Sequence, residues 1–486
     1  MSKTRMAGGA LAALAAALLA PGTAGAQELA PSEALPLVID ELNVTWILVA
    51  TVLVFFMQAG FAFLEIGFSR GKNAGMGIAK ILVNFSIATV VWWAAGFAVA
   101  FGGGGWLAGD TGWLFQFGRD VAGEGATGST AAFFIFQFMF AAVSLAIVWG
   151  TTLERMKFIA YVPFAIVFSG VIYPLIAHWA WGGGFLATLG NGVQDFAGSS
   201  IVHLTGATGA LAALLLLGPR RGKYGADGRP RAIPGHNMPL FGLGVLILWL
   251  GWFGFNGGST LGTADGRFAE VIAVTNLGAA GGVIGAMIVA QAYLKNLDVG
   301  MLGNGAIAGL VAITAPSGYV EFWAAPVIGL VGGVLCVGGV VMFERLRLDD
   351  PVGALSAHGL AGIWGTLSCG LFTSTRLAEA NGIGDPGLFY SGSPAQLGVQ
   401  AVAVLAIFAT VFALSLLTFA AIRATVGLRV SEAEEDAGLD ISEHGMYGYP
   451  EQFIPAAELV GFSPSQAPAQ RSAGVPHPSH REVPVA

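Results

Sequence analysis

Charged residues are scarce in this chain. Asp, Glu, Lys and Arg together make up 10% of the 486 residues, whereas hydrophobic residues make up 55% and the mean hydropathy is +0.72. This composition excludes an ordinary soluble domain and is typical of a protein that crosses the membrane several times. The 22 basic residues do not outnumber the 29 acidic ones, so no nucleic-acid partner is expected.

Cysteines and catalytic motifs are also scarce. The two cysteines, Cys336 and Cys369, fall inside apolar stretches and form neither a disulfide framework nor a redox motif. The sequence contains no HExxH motif, nucleophile elbow or phosphate-binding loop. We therefore expect no enzyme activity, no metal site and no cofactor.

Long apolar runs are the main structural signal. A membrane-spanning helix needs about 20 apolar residues, and eleven stretches reach or approach that length. Their approximate limits are 45–68, 76–101, 132–152, 157–180, 199–217, 237–256, 270–293, 300–315, 319–343, 354–373 and 396–422. We predict an all-α polytopic membrane protein with eleven transmembrane helices, whose membrane domain covers residues 27–425.

The first apolar run has the features of a secretory signal peptide. Lys3 and Arg5 precede LAALAAALLA, and Ala24-Gly25-Ala26 supplies small residues for cleavage before Gln27. The alternative, an additional N-terminal anchor, fits poorly because the run is short. We expect residues 1–26 to be removed, which leaves the mature N-terminus outside.

Basic residues are distributed unevenly between alternate loops. If the chain starts outside, the cytoplasmic loops hold twelve: Arg70, Lys72, Arg155, Lys157, Arg220, Arg221, Lys223, Arg229, Arg231, Lys295, Arg345 and Arg347. The outer loops hold three, Arg119, Arg267 and Arg376. Because Lys and Arg accumulate on the cytoplasmic side, we predict an outer N-terminus and a cytoplasmic C-terminus in the cell's inner membrane.

The net charge of −7 belongs to the end of the chain. Residues 431–486 contain nine acidic and two basic residues, so this segment carries −7 and the rest of the chain sums to zero. The charge therefore says little about a substrate. It marks residues 426–486 as a cytoplasmic tail, which we expect to be disordered after about residue 452 because it is rich in proline.

Two histidines lie in apolar stretches, where an ionisable side chain is costly and is a functional candidate by default. His203 follows Asp195 by eight residues and His358 follows Asp350 by eight, in DFAGSSIVH and DPVGALSAH. The two copies open the fifth and the tenth span, and an offset of five spans reverses the direction of the second copy. We predict an inverted repeat of spans 1–5 and 6–10 with both histidines near the midplane.

Other interpretations of the repeated element stay open at this point. Asp before a helix is a common N-cap, so the shared spacing could be coincidence. Zinc or iron would need three or four ligands, and the spans around the two histidines offer no further ligand motif. A third histidine, His178, lies near the outer end of the fourth span and is interpreted as structural or interfacial.

Five separate motifs resemble the ammonium transporter family, whose relatives include the Rh proteins. In chain order they are FLEIGFSRGKN (63–73), FQFMFA (136–141), DFAGSSIVH (195–203) with its continuation to Arg220, GWFGFNGGS (251–259) and DDPVGALSAHG (349–359). The resemblance extends over about residues 27–448. It implies a transporter of the bacterial type.

The resemblance implies a pore and an outer binding site. His203 and His358 would line the pore, where a neutral imidazole donates through one nitrogen and accepts through the other. Phe140 and Phe255 would close the pore as stacked rings. Trp181, Ser259 and Phe140 would bind ammonium at the outer end, through cation–π attraction and a hydrogen bond. Without the motif, these aromatic residues would be assigned to core packing or to an interfacial belt.

Four ionisable residues near the span ends are given supporting roles. Asp195 is expected to cap the Gly198-Ser199 turn and to add negative potential near the cation, and Asp350 is its structural counterpart on the cytoplasmic side. Glu65 is expected to pair with a nearby base such as Arg70 or Lys72. Lys80 is expected to extend its amino group toward the interface. Neither Glu65 nor Lys80 is assigned to transport.

The resulting function is an ammonium transporter that recruits ammonium outside, deprotonates it and conducts ammonia through the pore. Methylammonium is a further candidate substrate. The tail segment AGLDISEHGMYGYPE (437–451) resembles the family's cytoplasmic motif, which implies a homotrimer and a nitrogen signal protein of the PII type as a partner. The alternatives are an ammonium sensor or transceptor and an Rh-like gas channel.

Overall fold

The computed structural model describes residues 31–115, 120–121, 124–125 and 128–454. The chain divides into two units, Met1–Leu42 and Asn43–Ala486. Only residues 31–42 of the first unit are described, and they form the beginning of a helix. The predicted signal peptide lies outside the described residues, as does the tail after residue 454.

Long helices make up most of the described part of the second unit, which confirms the prediction of an all-α membrane protein. They are α1 (Pro31–Phe68), α2 (Gly71–Phe101), α3 (Gly128–Thr151), α4 (158–180), α5 (Ser199–Leu217), α6 (Met238–Gly258), α7 (Arg267–Leu294), α8 (Val299–Thr314), α9 (Ala324–Arg345), α10 (355–372) and α11 (Ala395–Thr425). Each overlaps one predicted span. Within the described ranges, nine helices are long and apolar enough to cross a membrane, and α8 is shorter. The count of eleven spans and their orientation stay predictions.

Shorter elements connect and follow these helices. Single helical turns lie at Phe185–Thr188, Thr375–Asn381 and Leu388–Ser391, and the tail forms α12 (Glu432–Ala437), α13 (Leu439–His444) and α14 (Pro450–Phe453). Two short strands, β1 (Asp120–Val121) and β2 (Glu124–Gly125), pair antiparallel with Asp120 opposite Gly125. They lie in the outer loop between α2 and α3.

Close packing of α7, α8 and α9 depends on glycine. A Cβ atom on Gly329 would lie 1.9 Å from the carbonyl oxygen of Gly278, and one on Gly333 would lie 2.0 Å from the carbonyl oxygen of Gly282. Lipid offers no hydrophobic driving force for helix association, so small residues that let backbones approach supply much of the packing energy. These glycines therefore hold the second half of the helix bundle together.

Several long helices change their winding inside the membrane region. Turns of π-helix occur at Trp92–Gly96, Phe168–Ile172, Ser199–Leu204, Ala290–Leu294 and Leu355–Leu360. Such turns leave carbonyl groups without their usual partners and often mark functional sites. Two of them, at the start of α5 and of α10, carry His203 and His358.

Candidate functional site

The two histidines contact each other in the interior of the helix bundle. The Nδ1 atoms of His203 and His358 lie 3.2 Å apart, and the two rings stack with centroids 5.2 Å apart at 19°. His203 is completely buried and His358 is 5% exposed. At this distance one Nδ1 atom donates to the other, so the contact needs one proton between the rings. The Nε2 atom of His203 has no hydrogen-bond partner among the described residues.

Matching aspartates cap the turns that carry these histidines. The Asp195 carboxylate accepts hydrogen bonds from the backbone N–H groups of Gly198, Ser199, Ser200 and Ile201 at 2.8–3.1 Å. Burial raises the pKa of Asp195 to about 6, while these four donors act in the opposite direction.

The second copy repeats this arrangement. Asp350 accepts from the N–H groups of Val352, Gly353 and Leu355 at 2.7–3.2 Å. The glycine three residues after each aspartate has positive φ, +114° at Gly198 and +74° at Gly353. The repeated unit is therefore Asp-x2-Gly-x4-His.

Three residues predicted for the outer site line one cavity. This outer cavity, named after the predicted orientation, has a volume of about 880 Å³ including open solvent, and its wall contains Trp181, Ser259, Phe140 and Asp195. The indole N–H of Trp181 donates to the Asp195 carbonyl at 2.8 Å. The Ser259 hydroxyl donates to the Phe255 carbonyl at 2.9 Å, which leaves its lone pairs free to accept.

Two phenylalanine rings separate the outer cavity from the histidines. The rings of Phe140 and Phe255 lie 4.1 Å apart between centroids at 31°, and Phe140 meets Trp181 edge-on at 5.9 Å. Phe255 also contacts the ring of His203, with centroids 5.5 Å apart. Trp181, Phe140, Phe255 and His203 therefore follow one another from the outer cavity to the centre.

Trp252 contacts a pore histidine and was not assigned a role from the sequence. Its ring stacks on His203 with centroids 5.1 Å apart at 17°, and its indole N–H donates to the Thr314 hydroxyl at 2.8 Å. This hydrogen bond fixes the plane on which the imidazole lies. Trp252 stands three residues before Phe255 in GWFGFNGGS, which is the one signal in the sequence that could have identified it.

A second cavity lies on the other side of His358. This inner cavity has a volume of about 330 Å³ including open solvent, and its wall includes His358, Phe61, Asn304 and Glu65. The prediction that Glu65 pairs with Arg70 or Lys72 is wrong. Its carboxylate pairs with Lys80.

The expectation for Lys80 is also wrong. The Lys80 side chain is fully buried instead of reaching the interface, and its ammonium group donates to the Trp149 carbonyl at 3.0 Å. Arg70, the partner expected for Glu65, binds Glu154 instead.

A buried charge network joins the loop after α3, the loop after α5 and the segment before α10, on the side predicted to be cytoplasmic. Arg220 donates to both oxygens of Asp349 at 2.9 Å, and Arg155 donates to the Asp349 carbonyl. Burial opposes ionisation of Asp349, but Arg155 and Arg220 outweigh it and hold the pKa of this carboxyl below its usual range. Asp349 directly precedes the Asp350 cap, so this network anchors the element that carries His358.

No group of three or more potential ligands from His, Cys, Asp and Glu that could hold a metal ion occurs in the part of the chain that the structure describes. The two ring nitrogens of His178 face the carbonyl oxygens of Ala100 and Gly105 at 3.0 and 2.8 Å. His178 thus bridges the end of α4 to the end of α2 and to the loop that follows it. Cys336 and Cys369 are both buried as free thiols.

Comparison with protein families decides what kind of protein carries this site. The model of the Ammonium Transporter Family matches residues 45–449. The chain belongs to the ammonium transporter family. This confirms the resemblance carried by the five motifs, together with the prediction of a multi-pass membrane transporter rather than an enzyme. Ammonium or ammonia is the substrate class.

Individual relatives agree with this assignment. The ammonium transporter Amt2 of Archaeoglobus fulgidus is 41% identical, with 90% of this chain and 93% of the relative covered. An ammonium transporter of Bacillus subtilis is 35% identical, with 82% and 96% covered.

Solved structures of similar proteins share the fold. The ammonium transporter resembles a Sensor Amt Protein with a TM-score of 0.77 at 36% identity, covering 84% of this chain and 99% of that one. It also resembles Mep2 from Candida albicans with a TM-score of 0.74 at 30% identity, covering 88% and 93%.

Proposed function

We propose that this transporter recruits ammonium in the outer cavity, removes one proton from it and conducts ammonia between the two histidines. The observation that carries this proposal is the unbroken sequence of side chains from Trp181 through Phe140 and Phe255 to the pair of His203 and His358. The outer groups suit recruitment of the cation, the two phenylalanine rings suit loss of the charge, and the histidines suit passage of ammonia.

Recruitment is assigned to Trp181, Ser259 and Phe140. The indole face attracts a cation by its quadrupole, and the Ser259 oxygen accepts a hydrogen bond from an ammonium N–H group. Asp195 adds negative charge to the wall of the same cavity. The combination favours a cation that donates hydrogen bonds. Potassium, which has a similar size, cannot donate any.

Deprotonation is assigned to the passage of the Phe140 and Phe255 rings, and the proton goes to water in the outer cavity, which is open to solvent. A charged group inside the membrane is costly, and these rings offer no hydrogen bond in exchange for the ligand's water. Ammonia, by contrast, carries no charge and keeps both donor and acceptor capacity. Beyond the rings, the free Nε2 atom of His203 and the single proton shared by the two Nδ1 atoms form a neutral, hydrogen-bonding lining.

Uptake of labelled methylammonium tests the recruitment step. Trp181→Leu is expected to raise the half-saturating concentration about twofold to thirtyfold, the range that corresponds to losing a cation–π contact. Trp179→Leu is the matched control, because Trp179 lies two residues away, donates to the Leu107 carbonyl and does not line the outer cavity. Equal half-saturation in wild type and Trp181→Leu would contradict the assignment.

The proposal also includes an oligomeric state and a regulatory partner. We expect a homotrimer in the inner membrane and a nitrogen signal protein of the PII type as a cytoplasmic partner of the tail. Similarity to a Sensor Amt Protein makes ammonium sensing the second candidate function. A pull-down from membranes under nitrogen-rich and nitrogen-poor conditions that recovers no such partner would overturn the regulatory part only.

A further inference from the structure

The inverted repeat extends beyond the histidines to the helices that face them. Helices α1 and α6 are the first of each half, and they share a spacing: Gly60-Phe61-x3-Glu65 in α1 and Gly254-Phe255-x3-Ser259 at the end of α6. The Phe61 ring lies 6.4 Å from the His358 ring at 35°, and the Phe255 ring lies 5.5 Å from the His203 ring at 34°. Each phenylalanine therefore neighbours the histidine of the opposite half.

The same spacing gives Glu65 a structural counterpart. Four helical residues rise about 6 Å, a little more than one turn. Ser259 lies four residues after Phe255 and lines the outer cavity. Glu65 lies four residues after Phe61 and lines the inner cavity. Glu65 thus occupies the position at the inner mouth that Ser259 occupies at the outer one.

The Glu65 carboxylate keeps one oxygen available to the inner cavity. Lys80 forms an ion pair through Oε2, and neither carboxylate oxygen has a hydrogen-bond partner among the described residues, so Oε1 is free to accept. A Cβ atom placed on Gly150 would lie 3.4 Å from Oε1, and Gly150 is itself part of the cavity wall. Glu65 is only 1% exposed, and its Oε1 atom is a hydrogen-bond acceptor without a partner beside His358.

The position of Lys80 explains how a carboxylate can be kept there. A lone buried charge would be strongly unfavourable, and a buried ion pair without further function is no more stable than an apolar pair. Lys80 lies behind the carboxylate and is not part of the cavity wall. The pair is neutral overall, so a cation in the cavity meets the carboxylate oxygen first but is not held by a full unbalanced charge.

We propose that Glu65 Oε1 and the ring of Phe61 form an inner site for ammonium or methylammonium, on the cytoplasmic side of His358. The cation donates an N–H hydrogen bond to Oε1 and lies against the aromatic ring, as it does with Ser259 and the outer rings. Lys80 positions the carboxylate and limits the affinity so that the ligand leaves. The inner site rests on the proposed function, because it is the end of the path that begins at Trp181.

Transport measured separately from each side tests the inner site. Labelled methylammonium uptake is recorded in right-side-out and inside-out membrane vesicles that contain the full chain. The variant Glu65→Gln/Lys80→Gln removes both charges together and leaves no unpaired ion. We expect half-saturation from the cytoplasmic face to rise about tenfold, the loss of one charge-assisted hydrogen bond, with little change from the outer face.

Two further variants distinguish the inner site from the outer one. Trp181→Leu is expected to change half-saturation only from the outer face, and Gln58→Leu, which lies on α1 but lines a different cavity, should change neither. If the double variant behaves like wild type from both faces while Trp181→Leu keeps its outer effect, the inner site is overturned and the proposed function stands. If Trp181→Leu has no effect, the recruitment step fails independently.

A conservative variant tests the inner site independently if the double variant is poorly expressed. Glu65→Asp keeps the negative charge opposite Lys80 but withdraws the oxygen from the cavity wall. It should raise half-saturation from the cytoplasmic face in the same direction by a smaller factor. An unchanged value in Glu65→Asp, in vesicles with normal protein content, would also contradict the inner site.

Discussion

Trp181 and Ser259 both use their hydrogen-bond donors on backbone carbonyls. The indole N–H binds the Asp195 carbonyl and the hydroxyl binds the Phe255 carbonyl, which fixes both side chains before any ligand arrives. What remains exposed to the outer cavity is an aromatic face and a pair of oxygen lone pairs. A site of this kind attracts a cation that can donate hydrogen bonds and offers nothing to an anion.

Asp195 makes recruitment dependent on pH. Burial raises its pKa to about 6, so the carboxylate gains a proton and loses its charge as the pH falls through that value. We expect half-saturation for labelled methylammonium from the outer face to rise between pH 7 and pH 5. Asp195→Asn should bind less well at pH 7 and show a flatter profile. A variant that keeps the wild-type pH profile would contradict this role for Asp195.

The sequence predicts some of these residues and not others for a physical reason. His203 and His358 stand out because ionisable groups in apolar spans are rare and because their spacing from aspartate is repeated. The partner of Glu65 could not be predicted, since Arg70 and Lys72 are nearer along the chain and only the packing of α2 against α1 brings Lys80 to the carboxylate. Trp252 is one of twelve tryptophans, and only three-dimensional packing distinguishes it.

At the scale of elements, each pore histidine lies on a π-helical turn that an aspartate caps. Hydropathy predicts where α5 and α10 lie, because burial in lipid requires apolar residues over the whole span. It does not predict the π turns at Ser199–Leu204 and Leu355–Leu360, since the winding depends on the cap and on packing. The aspartate and the glycine three residues later together set the direction in which each helix enters.

A substitution at Gly198 tests whether the capped turn before α5 is needed for stability and transport. A Cβ atom there would lie 2.5 Å from Val202 Cγ2, and its φ of +114° is unfavourable for any other residue. Gly198→Ala should cost about 1–3 kcal/mol of stability and reduce transport, because the turn holding His203 must shift. Gly222→Ala is the control, since Gly222 has a φ of +76° but no atom within 4 Å of the added Cβ.

Melting temperatures of the purified variants in detergent, measured together with transport in vesicles, check this prediction. Similar losses of stability in both variants would mean that strain in the backbone dominates. The same transport in Gly198→Ala as in wild type would contradict a link between the cap and the position of His203.

At the scale of the whole molecule, the first part of the tail is bound to the helix ends on the side predicted to be cytoplasmic. Asp440 on α13 is completely buried and accepts from the N–H groups of Gly75, Met76 and Gly448 at 2.8–3.0 Å. Arg221 and Lys72 hold α12 through charged and carbonyl oxygens. The tail therefore contacts the start of α2 and the loop after α5 within one subunit.

Removing the Asp440 carboxylate should release this part of the tail. Asp440→Ala leaves three backbone N–H groups without their acceptor, and we expect faster chymotryptic cleavage between residues 447 and 453. Asp227→Ala, which removes an exposed acid that pairs with Arg229 in the loop after α5, should be cleaved at the wild-type rate. Equal cleavage of Asp440→Ala and wild type would contradict the anchoring role of this residue.

In the proposed mechanism, the substrate loses its charge before it passes the histidines. Potassium matches ammonium in size but has no proton to give up, so the flux of potassium through reconstituted protein distinguishes passage of a cation from passage of ammonia. We expect methylammonium and ammonium to cross. Proteoliposomes loaded with potassium should lose potassium no faster than liposomes without the protein. A sustained potassium flux that depends on the protein would contradict conduction as ammonia.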